Sequence, residues 1–366
     1  MTAARAWGPA SNLLCVRLDT IGDVLMTTPA LRALREAVPR RRVTLLTSSA
    51  GAAAAPLLDS VDDTIVYDAP WLKASPARPD PGADLAMVEL LRAHRFDAAV
   101  IFTVYSQSPL PAALMCHLAG VPLRAAHCRE KVYGLLTDRV PEPEPEQLVR
   151  HEVRRQLDLA AAVGATARDE RMSVAIPPGA RAQAARLLAR AGVGERGWIA
   201  VHPGATAPSR RYPPEAYAAA VRGLVERGLQ VVLTGTPDEV PLVEGIRAEA
   251  GSTTVSLAGL LDLPLLAAVI ARAPLLLTNN TGPAHIAAAL GTPVVDLYAL
   301  TNPQHTPWMV PARVLSHDVE CRWCYSSVCP LGHHDCLRLV SPTSVVEAVL
   351  DLLRETSASV TPAAHG

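Results

Sequence analysis

Leu275-Leu-Leu-Thr-Asn-Asn-Thr-Gly-Pro-Ala-His-Ile-Ala-Ala-Ala-Leu-Gly-Thr-Pro-Val-Val295 reads as strand, turn, helix, turn and strand. The short apolar run at 275–278 suits a parallel strand buried on both faces. Gly282-Pro283 opens a helix, because proline is tolerated in a first turn whose N–H groups lack helical partners anyway. The helix continues through His285 to Leu290; Gly291 stops it and Pro293 bars its return. A helix start of this kind presents unpaired backbone N–H groups and partial positive charge, which suits a phosphate. Gly282 lets a bulky anion approach the backbone, Asn280 and Thr281 stand beside it, and His285 is a further donor one turn in. An ordinary capped helix in an α/β sheet would read the same way.

Working outward, both halves of the chain alternate strands with helices. In the first half, strands are expected at 13–17, 43–47, 64–67 and 98–102, with helices at 23–37, 85–94 and 151–163. The Pro-rich stretches at 70–81 and 141–145 read as a surface loop and as a turn or short extended segment. In the second half, strands are expected at 198–202, 230–233, from 275 and from 294. Helices are expected there at 181–191, 214–226, 238–250, 263–271 and from 283. This spacing implies parallel, doubly wound sheets, whose ligands sit beyond the carboxyl ends of the strands. Both 202–206 and 279–285 lie at such ends.

The chain of 366 residues is long enough for two domains, and 49% hydrophobic residues supply a core for each. A formal net charge of −1 argues against nonspecific nucleic-acid binding. Arg40-Arg41-Arg42 reads as a solvated helix end, with a patch for an acidic, lipid-linked acceptor as the other option. The first ten residues are polar and small and lack the apolar run of a secretory signal. The most apolar window, 257–277, is broken by Asp262, Pro264, Arg272 and Pro274, so it is no membrane span. A soluble cytoplasmic protein is expected, with peripheral association at the inner face of the cytoplasmic membrane left open.

Three loops of the second half look like one anion site. His202-Pro-Gly-Ala-Thr206, followed by Arg210-Arg211, combines a glycine turn, a hydroxyl and guanidinium groups that pair bidentately with phosphate. Thr234-Gly-Thr-Pro-Asp238-Glu239 offers carboxylates for a ribose or base, although acids are favoured in a first helical turn anyway. The third loop is 281–285. In the first half, Arg17-Leu-Asp19-Thr-Ile-Gly22-Asp23 follows a strand and opens a helix. Asp23 there either takes a proton from an acceptor hydroxyl or simply caps the helix.

Taken together, Ile21-Gly22-Asp23-Val-Leu-Met-Thr-Thr-Pro-Ala30, the 202–205 segment with its basic pair, and Asn280-Thr-Gly-Pro-Ala-His285 resemble glycosyltransferase family 9. These are the ADP-heptose–lipopolysaccharide heptosyltransferases and their relatives. The resemblance implies an α/β GT-B fold, two doubly wound Rossmann-like domains facing a cleft. The first (1–172) would bind the acceptor and the second (173–341) the nucleotide sugar. It implies inverting transfer from a nucleoside-diphosphate sugar, an ADP-sugar by family default, to a lipopolysaccharide-core or other saccharide or lipid-linked saccharide. Asp23 matches the catalytic base, and Thr206, Arg210, Thr281, Gly282 and His285 match the diphosphate contacts. Glu239 falls near a ribose-contacting position and Leu263 near an adenine-contacting one, with Asn280 beside them. Two departures stand out: Asn280 where the family often has Asp, and Arg210 where it usually has Lys. A nucleotide-sugar epimerase and a non-catalytic carbohydrate-binding protein are the rival readings of the same phosphate loops.

Catalysis by this scheme requires no metal. Separately, Cys321-x2-Cys324-x4-Cys329-x6-Cys336 holds four of the seven cysteines, with His333 and His334 inside the last interval. In a cytoplasmic chain this spacing points to a structural zinc or an iron–sulfur centre rather than disulfides. The final helix, 342–356, is expected to pack back toward the first domain, and 357–366 to be a disordered tail.

Overall fold

Strand β1 (Asn12–Arg17) is buried along its length after its first residue, on both faces alike, as an apolar run without alternation requires of a parallel strand. It leads into helix α1 (Ile21–Glu36), where Thr20 and Asp23 form a reciprocal capping box. Pro29 lies inside this helix and cannot donate to the Leu25 carbonyl; the Thr28 hydroxyl does so instead, at 2.7 Å. The remaining elements are β2 (Arg42–Thr47), β3 (Asp63–Val66), α2 (Gly82–His94), β4 (Ala98–Ile101), α3 (Leu110–Leu118), β5 (Leu123–Cys128), β6 (Asp138–Pro141) and α4 (Glu152–Ala162). The six strands form one parallel sheet in the order β3-β2-β1-β4-β5-β6.

This computed structural model describes residues 7–72, 80–251 and 253–358. It divides into two units, Met1–Ala175 and Ile176–Gly366. The second begins with α5 (Pro178–Arg190), β7 (Trp198–His202), α6 (Pro214–Val225), β8 (Gln230–Leu233), α7 (Val240–Ala250) and β9 (Thr254–Ser256). It continues with α8 (Leu263–Ile270), β10 (Leu276–Asn279), α9 (Gly282–Leu290), β11 (Val294–Leu297), β12 (Ala312–Leu315) and α10 (Pro342–Ala358). Its sheet is again parallel, ordered β12-β11-β10-β7-β8-β9, which is the first sheet's order read from the other edge. Both units are therefore doubly wound, with the reversal of winding between β1 and β4 and between β7 and β10. No helix among the described residues is long and apolar enough to cross a membrane.

The expected strands and helices are present with end shifts of a few residues. Helix α9 stops where expected, with Gly291 in the left-handed conformation at φ 75°. Strands β5, β6, β9 and β12 and helix α3 were not anticipated. The sequence of β5, Leu-Arg-Ala-Ala-His-Cys, lacks β-branched residues and carries two polar side chains. The fold buries both: Arg124 donates to the carbonyls of Leu135 and Gly134, and His127 Nε2 lies 2.9 Å from the Arg155 carbonyl. The Pro-rich stretch at 141–145 carries Glu142 and Glu144, buried against Arg155 and Arg150. Of the other Pro-rich stretch, 73–79 lies outside the described residues, as does 359–366 of the expected tail.

The final helix packs onto the second unit. Its apolar stripe, Val345, Val346, Val349 and Leu352, lies in the core of the second unit with Tyr217, Val221 and Leu224 of α6. A stripe so fully buried against α6, β11 and β12 makes α10 an integral part of that unit. Leu352 is completely buried whereas Arg354 is exposed. Leu352→Ala should therefore cost about 2–5 kcal/mol in urea unfolding, while Arg354→Ala should stay within about 0.5 kcal/mol; equal effects would mean the helix is not docked this way.

Candidate functional site

In the second unit the loops leaving β7, β8 and β10 meet. Asn279, the last residue of β10, is completely buried and bridges two segments. Its Oδ1 accepts from the Tyr212 backbone N–H at 3.2 Å, and its Nδ2 donates to the Pro203 carbonyl at 2.7 Å. These bonds seat the 203–212 loop against the start of α9. Arg210 sits in the short 3₁₀ turn Pro208–Arg210, with its Nη1 3.5 Å from the Asn280 carbonyl. Among the described residues no carboxylate forms an ion pair with Arg210. Asp296 in β11 is nearby but completely buried, with neither carboxyl oxygen hydrogen-bonded among the described residues. Burial pushes its pKa up, against the opposing pull of Arg210. The guanidinium charge is thus left available beside a helix start.

That helix start is open. Thr281 is the residue preceding α9, its backbone is extended, and its hydroxyl has no hydrogen-bond partner among the described residues. Gly282 follows it as the first helical residue. The second loop reaches the same place through Glu239, which caps the turn Pro237–Glu239 by accepting from the Thr236 N–H at 2.8 Å. The Glu239 carboxylate lies over Gly204, where a Cβ would come to 2.0 Å from it and would have to push that side chain aside. Its Oε2 is also 3.7 Å from His202 Nε2, and burial lowers the His202 pKa while Glu239 opposes the shift. His285 is buried below the turn, edge-on to His305 at 6.4 Å. Arg210, Asn280, Thr281, Gly282, His285 and Glu239 are thus on connected segments. Among the described residues no hydrogen bond ties the exposed Thr206 side chain or Leu263, at the start of α8, to this group.

The first unit has a different electrostatic character at the matching position. Arg17, at the end of β1, is completely buried and meets three carboxylates: Asp19 at 3.0 Å, Asp23 at 3.1 Å and Glu152 at 2.9 Å. The carboxylates outweigh burial and hold it charged. Asp23 also accepts from the Thr20 N–H at 3.1 Å and hydroxyl at 2.8 Å, so the capping role is real and the same carboxylate faces Arg17. Asp19 accepts from Gln107 Nε2 at 2.7 Å. Burial lifts its pKa to about 6, against the opposing pull of Arg17. It lines a cavity of about 330 Å³ with Trp71, Leu72, Phe102, Ser106 and Gln107. Sequence reasoning passed over Asp19; an Arg-x-Asp pair at the carboxyl end of a strand was the available signal.

The four cysteines of the 321–336 segment line one small cavity with His333 and His334. Cys321 Sγ is 3.7 Å from His333 Nε2. No three His, Cys, Asp or Glu side chains among the described residues stand at metal-holding geometry, so an ion here would have to draw the thiols inward. The segment also grips the arginine turn: Ser209 donates its N–H to the Ser327 carbonyl at 3.1 Å and its hydroxyl to the Ser326 carbonyl at 2.8 Å.

Residues 85–334 match the model of glycosyltransferase family 9 (heptosyltransferase). Lipopolysaccharide heptosyltransferase 2 of Escherichia coli (strain K12) is 27% identical over 361 residues, covering 95% of this chain and 100% of the relative. A family 9 glycosyl transferase from Veillonella parvula DSM 2008 superposes with a TM-score of 0.79 at 22% identity, covering 94% of this chain and 98% of that one. The E. coli ADP-heptose lps heptosyltransferase II gives a TM-score of 0.73 at 24% identity, over 94% and 99% of the two chains.

Because the folded protein holds the Asp19 proton up to about pH 6 whereas an unperturbed carboxyl loses it near 3.8, this group favours folding less as pH rises through that window. Asp19→Asn, which cannot ionise, should therefore gain Tm relative to the parent chain between about pH 4 and pH 6. A difference independent of pH there would mean that Asp19 titrates normally.

Proposed function

The chain belongs to glycosyltransferase family 9, and from that membership we propose that it moves a heptosyl group from ADP-heptose to a lipopolysaccharide-core saccharide with inversion at the anomeric carbon. The observation that carries the donor half is the half-buried Arg210, without an ion-pair carboxylate among the described residues, beside the start of α9, which no side chain caps. The diphosphate would sit on the Gly282 turn, with the Thr281 hydroxyl and Arg210 as further donors. As the bond from the anomeric carbon to the diphosphate oxygen breaks, its electron pair leaves with the diphosphate. The fixed positive field of guanidinium and helix start stabilises that charge as it develops. Asp23 takes the proton of the attacking acceptor hydroxyl. Thr20 and Arg17 hold its carboxylate in one orientation, which an efficient base requires.

Family membership sets aside the non-catalytic and epimerase readings, which share the phosphate loops but do not call for an acceptor base. Thermal stabilisation by ADP, UDP, GDP and dTDP tests the donor. ADP at about a hundred times its Kd should add about 2.7 kcal/mol, and Arg210→Ala should weaken ADP by about 10- to 100-fold. Asp23→Ala should keep ADP binding and lose about 10²- to 10⁴-fold in transfer from ADP-heptose. A response confined to another nucleotide would discard the ADP-sugar, and full activity of Asp23→Ala would discard the base.

We also propose that Cys321, Cys324, Cys329 and Cys336 hold a structural zinc or an iron–sulfur centre. The donor set supports it: four thiolates suit a soft cation and leave no position open for substrate. Elemental analysis of the purified chain should find about one zinc per molecule, or iron with sulfide. Cys321→Ser with Cys324→Ser should abolish it and weaken ADP binding by loosening the turn that carries Arg210. Metal-free protein with four titratable thiols in this segment would overturn the assignment.

A further inference from the structure

The guanidinium of Arg17 is divided among three carboxylates, one nitrogen to each. Nε meets Asp19 at 3.0 Å, Nη2 meets Asp23 at 3.1 Å and Nη1 meets Glu152 at 2.9 Å. Glu152 is the first residue of α4 and is completely buried. Resting on the transferase reading above, we propose that Glu152 is a positioning residue for Asp23. Acting through Arg17, it fixes the guanidinium and keeps Asp23 basic enough to accept the acceptor proton.

Burial decides which kind of role is open to Glu152. None of its side chain is exposed, so it cannot touch an acceptor hydroxyl, whereas the Asp23 side chain keeps 13% exposure. Its influence has to pass through Arg17, and the geometry makes that influence strong. Arg17 is completely buried too, and opposite charges in contact out of water interact far more strongly than on a surface. The guanidinium is a flat, rigid fork. Contacts at Nε and Nη1 therefore leave Nη2 one direction, toward Asp23.

Glu152 is itself held in place. Gln156 Nε2, one turn further along α4, donates to its Oε1 at 2.5 Å and to the Thr103 carbonyl after β4 at 3.1 Å. Arg155 Nη1 stands 3.9 Å from the same Oε1, while its Nε donates to Glu142 at 2.9 Å. An ion so deeply buried costs desolvation free energy that an apolar spacer would not, so packing alone does not account for an acid there.

The direction of the effect follows from charge. Glu152 draws on the positive charge of Arg17 and is itself negative. Both effects favour the protonated form of Asp23 relative to a chain with a neutral residue at 152. Glu152→Gln keeps the shape and leaves Arg17 to two carboxylates, so Asp23 ionises more readily and becomes a weaker base. Among the described residues, the charged groups facing this pair are Asp19 from the β1–α1 loop and Arg155 from α4, with Glu142 behind Arg155. These charges are common to parent and variant and cancel in the shift.

The test is the pH profile of transfer by the full chain from ADP-heptose to a deacylated lipopolysaccharide-core saccharide. Glu152→Gln should move the acid limb of kcat/KM down by about one pH unit and lower kcat by about tenfold. The KM for ADP-heptose should stay within about twofold. Glu152→Asp keeps the charge but withdraws it by one methylene. Its shift should be smaller and in the same direction, which also covers a Glu152→Gln chain that fails to fold. Asp19 loses its own proton at about pH 6, so each variant is repeated with Asp19→Asn, where the shift should persist. An acid limb that stays in place or moves up, or a loss confined to KM, would overturn the proposal. If Asp23→Ala is inactive in the same assay, only the role of Glu152 falls. If Asp23→Ala transfers as the parent does, or no chain transfers at all, the transferase reading of Asp23 falls with it.

Discussion

Reversal of winding in each parallel sheet is the constraint on which the sites depend. A right-handed crossover places the helix after a central strand on one face, and its neighbour across the reversal sends its helix to the other. In the first sheet α1 leaves β1 on the side of α4, and α3 leaves β4 on the side of α2. In the second, α6 leaves β7 with α7 and α10, while α9 leaves β10 with α8. The departing chains diverge and leave a crevice at the carboxyl ends of the two central strands. Every residue given a chemical role here, apart from the cysteines, lies on a loop or helix start at or beside such a crevice.

The two crevices have been given opposite electrostatic tasks. In the second unit Arg210 has no ion-pair carboxylate among the described residues, and burial pushes the pKa of nearby Asp296 up. Positive charge is thus kept in reserve for an anion. In the first unit the arginine is surrounded by three carboxylates and spent internally. What faces outward is oriented hydrogen-bond acceptors. On the proposed reading, the same strand-to-helix junction serves a diphosphate in one case and hydroxyl chemistry in the other, decided by how many acids surround one guanidinium.

Support for the anion site reaches beyond its own loops. Asn279 has no contact role of its own in the phosphate scheme, yet its amide joins β10 to the loop carrying Arg210. Ser209, next to Arg210, is held by two bonds to the cysteine-rich segment. An arginine on a three-residue turn has little intrinsic rigidity, and tethering from both sides limits the reorganisation needed when charge develops on a leaving group.

Periodicity and local chemistry by themselves determined the fold class, most of the element order and the strand–turn–helix around Gly282. Each depends on neighbours in sequence: apolar runs for buried strands, Gly282-Pro283 to open a helix, Gly291 to close it. The family motifs carried the remaining candidates by position. Tertiary structure alone decided which polar residues are buried together. Strand β5 escaped notice because its Arg124 and His127 are acceptable only once carbonyls distant in sequence satisfy them. Asp19 drew no reading from the sequence, because the burial that raises its pKa and its bond to Gln107, 88 residues away, exist only in the folded chain. The last helix has an apolar stripe legible in the sequence, but a stripe does not name its partner; packing against α6 does. Local sequence specifies what an element is, because backbone propensity and capping act over a few residues, whereas burial and charge pairing depend on groups that only the folded chain brings together.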